Sequence, residues 1–205
     1  MLQQVCKMAD SQSNATAKGK ELQFRILDAL YDVSKGNKYF VVSFDNLYER
    51  LQSKDDKGRE SILGALQYLD QYGLVESRGL GTISIAHQGI KVYEEAILNP
   101  TRYTSYFPLY AIELASTNSK KNEIRDIKNK RDAFLHEVYK LSGKLTTQIV
   151  RSSEVLKILR YDSETFQNIL IYLVDEGFLK SLAIGGDMLT ITFEGIEQVQ
   201  QDHSS

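Results

Sequence analysis

Residues 61–89 read SILGALQYLDQYGLVESRGLGTISIAHQG, and residues 165–195 read TFQNILIYLVDEGFLKSLAIGGDMLTITFEG. In the first stretch Ile62, Leu66 and Leu69 recur at the four-then-three spacing that lines one face of a helix, with Leu63 beside them. Gly73 follows the last turn, where a residue without a Cβ adopts the left-handed cap at no steric cost. Leu74-Val75 and Ile83-Ser84-Ile85 then read as two short strands, joined by the glycine-containing turn Arg78-Gly79-Leu80-Gly81. The order is helix, glycine stop, hairpin.

The second stretch repeats that order. Tyr68-Leu69 falls on Tyr172-Leu173, Gly73 on Gly177 and Ser77 on Ser181 without gaps. With two extra residues in the second hairpin, Ile83-Ser84-Ile85 meets Leu189-Thr190-Ile191, and Gly89-Ile90 meets Gly195-Ile196. Upstream, residues 26–34 (ILDALYDVS) lie over residues 134–142 (FLHEVYKLS), and the register holds through Leu51 over Leu159. A four-residue surplus within residues 52–57 of the first copy restores the later alignment. Both length changes fall where loops belong, as an internal structural repeat predicts.

Around these copies the chain divides as follows. Residues 1–19 are rich in Gln, Ser, Asn, Ala and Lys, show no periodicity and are expected to be a flexible leader. The first domain spans 20–99: Phe24, Leu27, Leu30 and Tyr31 line a helix ending near Lys35-Gly36, and Ser43 is the expected N-cap of a helix bearing Leu47 and Leu51. Asn99-Pro100 closes the last helix of that domain. Residues 100–128 have no counterpart. Their first half is aromatic, with Tyr103, Tyr106, Phe107 and Tyr110 read as a packed connector rather than a ligand site. Their second half is polar and helix-compatible, leading into the second domain, 129–201, and a short tail, 202–205. Ile124, Ile127, Phe134, Leu135 and Val138 fit one long helix, serving either as a dimer interface or as a spacer.

The 205 residues suffice for one or two domains, and 42% hydrophobic content supports ordinary cores. A formal charge of −2 gives no global attraction to nucleic acid or anionic membrane. No apolar run approaches the roughly 20 residues of a membrane span, and the first residues lack the apolar core of a signal peptide. The single cysteine, Cys6, cannot form an internal disulfide and is expected to be an inert exposed thiol. A reducing, cytoplasmic compartment is the expectation.

A search for chemistry yields little. His87, His136 and His203 are scattered, and no Cys/His pair has zinc-ligand spacing. There is no P-loop, nucleophile elbow or dinucleotide fingerprint; Gly79-Leu80-Gly81 is explained by a tight turn. Asp55-Asp56 and Asp175-Glu176 belong to turns or helix ends. No catalytic residue, metal or cofactor is expected.

The segments YLDQYGLVES (68–77) with ISIAHQGIKVYEEA (83–96), and YLVDEGFLKS (172–181) with LTITFEGIEQVQQ (189–201), resemble winged helix-turn-helix domains of the MarR-like and PadR-like type. Together the copies cover roughly three quarters of the chain. The fold this implies is α+β and mainly helical: tandem winged helix-turn-helix domains joined by a partly helical connector. The function it implies is binding of double-stranded DNA, with the third helix in the major groove and the wing near the minor groove.

Local chemistry supports that implication unevenly. Lys54, Lys57 and Arg59 cluster at the start of the third helix of copy one, where a helix N-terminus with nearby cations suits a phosphate. Ser61, Gly64 and Gln67 lie off its apolar stripe and are candidates for base edges, and Arg78 is the candidate wing-tip cation. Asp55, Asp56 and Glu60 oppose this reading. A basic excess falls in the connector, where Lys120, Lys121, Arg125 and Lys128 are candidate backbone contacts. Copy two replaces the wing cation with Leu182, Ile184 and Met188, a surface better suited to dimerisation or a protein partner. The expected function is therefore a DNA-binding transcriptional regulator, its first domain and connector contacting DNA and its second domain serving dimerisation or partner binding. The alternative is a tandem winged-helix adaptor that binds proteins without reading DNA.

Overall fold

The structure, a computed structural model, describes residues 2–53, 55–182 and 187–202, with side chains from residue 16 to residue 201. It is mainly helical, with two small three-stranded antiparallel sheets, and divides into two compact units, Met1–Asn122 and Glu123–Ser205.

The first unit begins with α1 (Leu2–Ser34), followed by β1 (Val42–Ser43), α2 (Phe44–Arg50), α3 (Asp56–Gln71), β2 (Val75–Ser77), β3 (Thr82–Ile85) and α4 (His87–Leu98). A 3-10 turn (Pro100–Tyr103) and α5 (Leu109–Ala115) complete it, and the boundary between units falls inside α6 (Asn118–Leu141). The second unit continues with β4 (Val150–Arg151), α7 (Ser152–Leu159), α8 (Ser163–Asp175), β5 (Leu179–Ser181), β6 (Met188–Ile191) and α9 (Phe193–Asp202).

The sheets follow one plan, β1-β3-β2 in the first unit and β4-β6-β5 in the second. Val42 pairs with Ile83 as Val150 pairs with Leu189, and Val75 pairs with Ile85 as Leu179 pairs with Ile191. These are the positions that the sequence alignment equates. Gly73 (φ 66°) and Gly177 (φ 78°) both take the left-handed region at a helix end. Each is followed by the pair of hydrogen bonds of a Schellman cap: Leu74 N donates to Leu69 O (2.8 Å) and Gly73 N to Asp70 O (2.9 Å), as Phe178 N does to Leu173 O (2.9 Å) and Gly177 N to Val174 O (3.0 Å).

A second glycine in each unit answers a different demand. Ala86 N donates to Leu74 O and Thr192 N to Phe178 O, both at 3.0 Å, so the helix after the hairpin starts against a backbone carbonyl. A Cβ at Gly89 would fall inside the contact radius of Leu74 O, and one at Gly195 inside that of Phe178 O. This close approach is why the motif ends in glycine.

The first core is built from Phe24, Leu27, Leu30, Leu47, Ile62, Leu66, Leu69, Ile83, Ile85, Ile90, Tyr93 and Ile97, all buried. Each such side chain contributes on the order of 1.5–3 kcal/mol of transfer free energy. The second core repeats the arrangement with Phe134, Val138, Val150, Val155, Phe166, Ile169, Leu173, Leu179, Leu189 and Ile191. Ser43 caps α2 by accepting from Asn46 N (3.3 Å), as its position before Phe44 predicts.

Two regions differ from expectation. Residues 2–19, in which no period was found, form the first part of α1; their composition includes good helix formers and no proline, and the helix continues into the buried stretch from Phe24. The aromatic stretch after Pro100 is packed, as expected, but belongs to the first unit rather than to a separate connector: Phe107, Ala111 and Ile112 are buried there, and the Phe107 ring centroid lies 5.1 Å from that of Phe24. Tyr106 and Tyr110 stay exposed.

Candidate nucleic-acid interface

The N-terminus of α3 is made by Asp55, whose carboxylate accepts from Gly58 N at 3.0 Å. That carboxylate satisfies one of the free donors of the first turn, so the residue weighed against anion binding has a structural task. Burial of Ile62, Ala65, Leu66 and Leu69 turns the opposite face outward, carrying Lys57, Ser61, Gly64 and Gln67 in one stripe. Ser61 donates its hydroxyl to Lys57 O (2.9 Å), leaving its lone pairs outward, and the Cβ position of Gly64 has nothing within 4 Å. Asp56 and Glu60 are exposed on the same helix.

The remaining cations of the sequence expectation fare differently. Arg59 is exposed but lies over the Tyr48 ring, 5.4 Å from its centroid, lining a cavity of about 550 Å³ with Asp45, Glu49 and Gln52. Its charge is drawn toward α2. Arg78 does not project from the hairpin tip. It donates to Ser84 Oγ (2.9 Å) and Lys38 O (3.4 Å), pairs with Glu76 and lies over the Tyr39 ring. The cause is the strand period: Arg78 follows the last residue of β2, two beyond Glu76, and so falls on the sheet face that Glu76 shares with its partner Ser84. The tip is Leu80, fully exposed.

Lys120 is likewise committed inside its own unit. Its Nζ reaches Asp28 Oδ1 at 2.5 Å and Asp32 Oδ1 at 3.0 Å, with the side chain only 16% exposed. Burial opposes its charge, but the hydrogen bonds and charges of Asp28 and then Asp32 outweigh that and hold its pKa above the ordinary lysine value. Tyr93 donates to the same Asp28 oxygen (2.6 Å), and Tyr31 donates to the buried carboxylate of Glu94 (2.8 Å). Burial, followed by the charge and hydrogen bond of Asp28, pushes the Tyr93 phenol far above its usual range. Lys121 is half-buried on α6, while Arg125 and Lys128 lie past the boundary in the second unit. Lys54 and Ile184 fall outside the described residues.

In the second unit Leu182 and Met188 are 52% and 44% exposed. Arg151 pairs with Met188, and Leu182 N donates to Met188 O (2.9 Å), so the three residues form a row across the outer sheet face. Ile149, also exposed and two residues before Arg151, extends it. Ile149 is not among the residues expected at this surface, although its alternation with buried Val150 is visible in the sequence. The equivalent row in the first unit is Ser43, Thr82 and Arg78, where Ser43 pairs with Thr82 and Arg78 N donates to Thr82 O (3.1 Å). The first row is polar throughout, whereas the second sets exposed Met188 and Leu182 beside Arg151.

Among the described residues no group of His, Cys, Asp and Glu side chains is arranged to hold a metal ion, and no helix is long and apolar enough to cross a membrane. Compared with known proteins, the chain matches no family model, no curated protein and no solved structure.

Proposed function

We propose that the chain is a tandem winged-helix DNA-binding regulator, in which the first unit reads duplex DNA with α3 and the second unit serves self-association. The observation that carries the reading is the outward stripe of α3. Lys57, Ser61, Gly64 and Gln67 form a small, polar surface that begins at a capped helix N-terminus, with exposed Glu60 between Lys57 and Gly64. A helix of this kind enters a major groove: glutamine suits an adenine edge, a small residue admits close approach, and a first-turn lysine suits a phosphate. Lys57 and Gln67 are the main contacts in this reading, with Ser61 beside them. Arg78 and Lys120 are excluded by their internal partners. The oligomeric surface is the row of Arg151, Met188 and Leu182 with Ile149.

A second reading rests on the exposed apolar side chains of that same row, Met188, Leu182 and Ile149. An adaptor would use it for a protein partner and would not bind DNA at all. Selection of bound fragments from a random duplex pool, followed by fluorescence anisotropy on the enriched site, separates the two. The regulator gives enrichment, affinity that drops steeply from low to moderate salt, a uniform loss and a shallower salt slope for Lys57→Ala, and a loss of about 1–3 kcal/mol with relaxed base preference for Gln67→Ala. Absence of enrichment would leave the adaptor.

A further inference from the structure

A cleft of about 790 Å³ opens in the first unit between α1, the second half of α3, α4 and the turn after Pro100. Its walls are aromatic. Tyr68 and Tyr72 stand one turn apart on the exposed side of α3's C-terminal end, ring centroids 4.5 Å apart, and Tyr103 and Tyr106 face in from the turn, 6.1 Å apart. The Tyr68 hydroxyl interacts with that of Tyr72, which raises its pKa. Leu69, Leu74, Val92 and Phe107 supply an apolar lining.

The charge of this cleft is opposite to that of the chain. Lys20 and Arg102 line it and no carboxylate does, although the whole protein carries a formal charge of −2. Lys20 donates to Ser105 O (2.8 Å), which fixes the ammonium at the cleft with further N–H donors to spare. Arg102 is exposed, and its guanidinium has no partner among the described residues. Two cations beside two pairs of mutually tilted phenols, with Gln23 and Gln88 on the lining, fit a ligand with a flat aromatic ring and an anionic group.

Size narrows the class. The volume lies within the range of about 300–1,000 Å³ typical of sites that enclose a whole small molecule, and is far more than a single substituted benzene ring needs. We propose that this cleft binds a free mononucleotide, its base stacked on the tyrosine walls and its phosphate held by Lys20 and Arg102. Stacking on phenol rings tolerates any base, so the phosphate carries most of the selectivity over nucleosides. The site does not depend on DNA binding, but it shares α3: Tyr68 lies next to Gln67 and one turn beyond Gly64. Occupancy of the cleft is therefore positioned to change what the outward stripe presents.

Four of the twelve tyrosines line the cleft and the chain has no tryptophan, so tyrosine fluorescence of the intact protein, read without DNA, responds to occupancy of the cleft. Nucleoside monophosphates, the matching nucleosides, inorganic phosphate, benzoate and a short single-stranded oligonucleotide are titrated separately, with calorimetry as the second readout. The expected result is saturable binding of monophosphates, at least tenfold tighter than nucleosides, phosphate or benzoate. Arg102→Ala, which removes a side chain without internal partners, is expected to weaken binding about tenfold or more, and Tyr106→Ala similarly, with unchanged circular dichroism. No saturable binding of any monophosphate, equal binding of nucleosides, tighter binding of benzoate or of the oligonucleotide, or indifference to Arg102→Ala would each overturn the assignment. Because DNA is absent throughout, failure here is distinct from failure of the groove-reading proposal.

Discussion

Replacing Gly89 by alanine tests the closure of the first unit at one atom. The added Cβ would lie well under 3 Å from Leu74 O, 2.9 Å from the carbon of that carbonyl and 3.1 Å from Ile85 Cγ1. The obstacle is backbone, not the far end of a flexible side chain, so the start of α4 must move away from β2. Forced overpacking costs typically about 1–3 kcal/mol, and a backbone obstacle belongs at the upper end. The displaced carbonyl also loses geometry in its bond from Ala86 N, worth about 1 kcal/mol. Alanine returns at most about 1 kcal/mol through helix propensity. The net expectation is a loss of about 2–3 kcal/mol, or a urea midpoint lower by on the order of 1 M. Gly64→Ala is the internal control: its Cβ meets nothing within 4 Å on an exposed helix face, so it should stabilise by about 0.5–1 kcal/mol. Far-UV circular dichroism against urea measures both, and resolves two transitions if the units unfold separately. A Gly89→Ala protein as stable as the parent would refute the close-approach argument, and with it the explanation of why Gly195 recurs.

The other tests concern charge and surface. Lys120→Ala should destabilise the first unit by about 1–3 kcal/mol, since it strands the carboxylates of Asp28 and Asp32. The pKa of Lys120 is raised on folding, so its contribution is full below the unfolded value of about 10.5 and fades as pH rises through the folded one. The raised Tyr93 phenol acts in the same direction, so alkaline melting temperatures should fall above about pH 10, with the lysine part absent from the variant. Asp162 accepts from both the backbone N–H and the hydroxyl of Thr165, which depresses its pKa; its stabilisation is present above the ordinary value of 3.8 and lost as pH falls through the depressed one. Asp162→Ala should therefore lower the melting temperature at neutral pH and converge on the parent in strong acid, and a pH-independent difference would remove the cap account. Replacing Leu182 and Met188 together by serine should leave stability nearly unchanged and abolish self-association in sedimentation; a profile identical to the parent's at every concentration would sink the interface.

The repeated plan was legible because its constraints are local. Gly73 and Gly177 sit where a helix must stop, Gly89 and Gly195 where a helix must touch a carbonyl, and the alternating strands fix register between them. Side-chain destinations were less so. Lys120 sits in a polar run and looks solvated, yet its partners Asp28 and Asp32 are one turn apart on a helix nearly a hundred residues earlier. No local pattern reports that meeting. Arg78 differs, since its partner Glu76 is only two residues away and the two-residue strand period places both on one sheet face. The acidic residues around α3 were weighed as charge alone, whereas Asp55 is a cap.

The outer rows of the two sheets bear on how freely such a scaffold can be retooled. Closure of each unit depends on the inward-facing positions Val42, Ile83, Ile85 and Val75, or Val150, Leu189, Ile191 and Leu179, which stay buried and aliphatic in both. The outward positions Thr82 and Arg78 have drifted to Met188 and Leu182 on the same hydrogen-bonded frame. The frame thus behaves as a socket whose faceplate can be exchanged, and grafting Arg78, Glu76 and Ser84 onto the matching positions of the second sheet would wet the plate at Leu182, beside Met188, without touching Gly177 or Gly195.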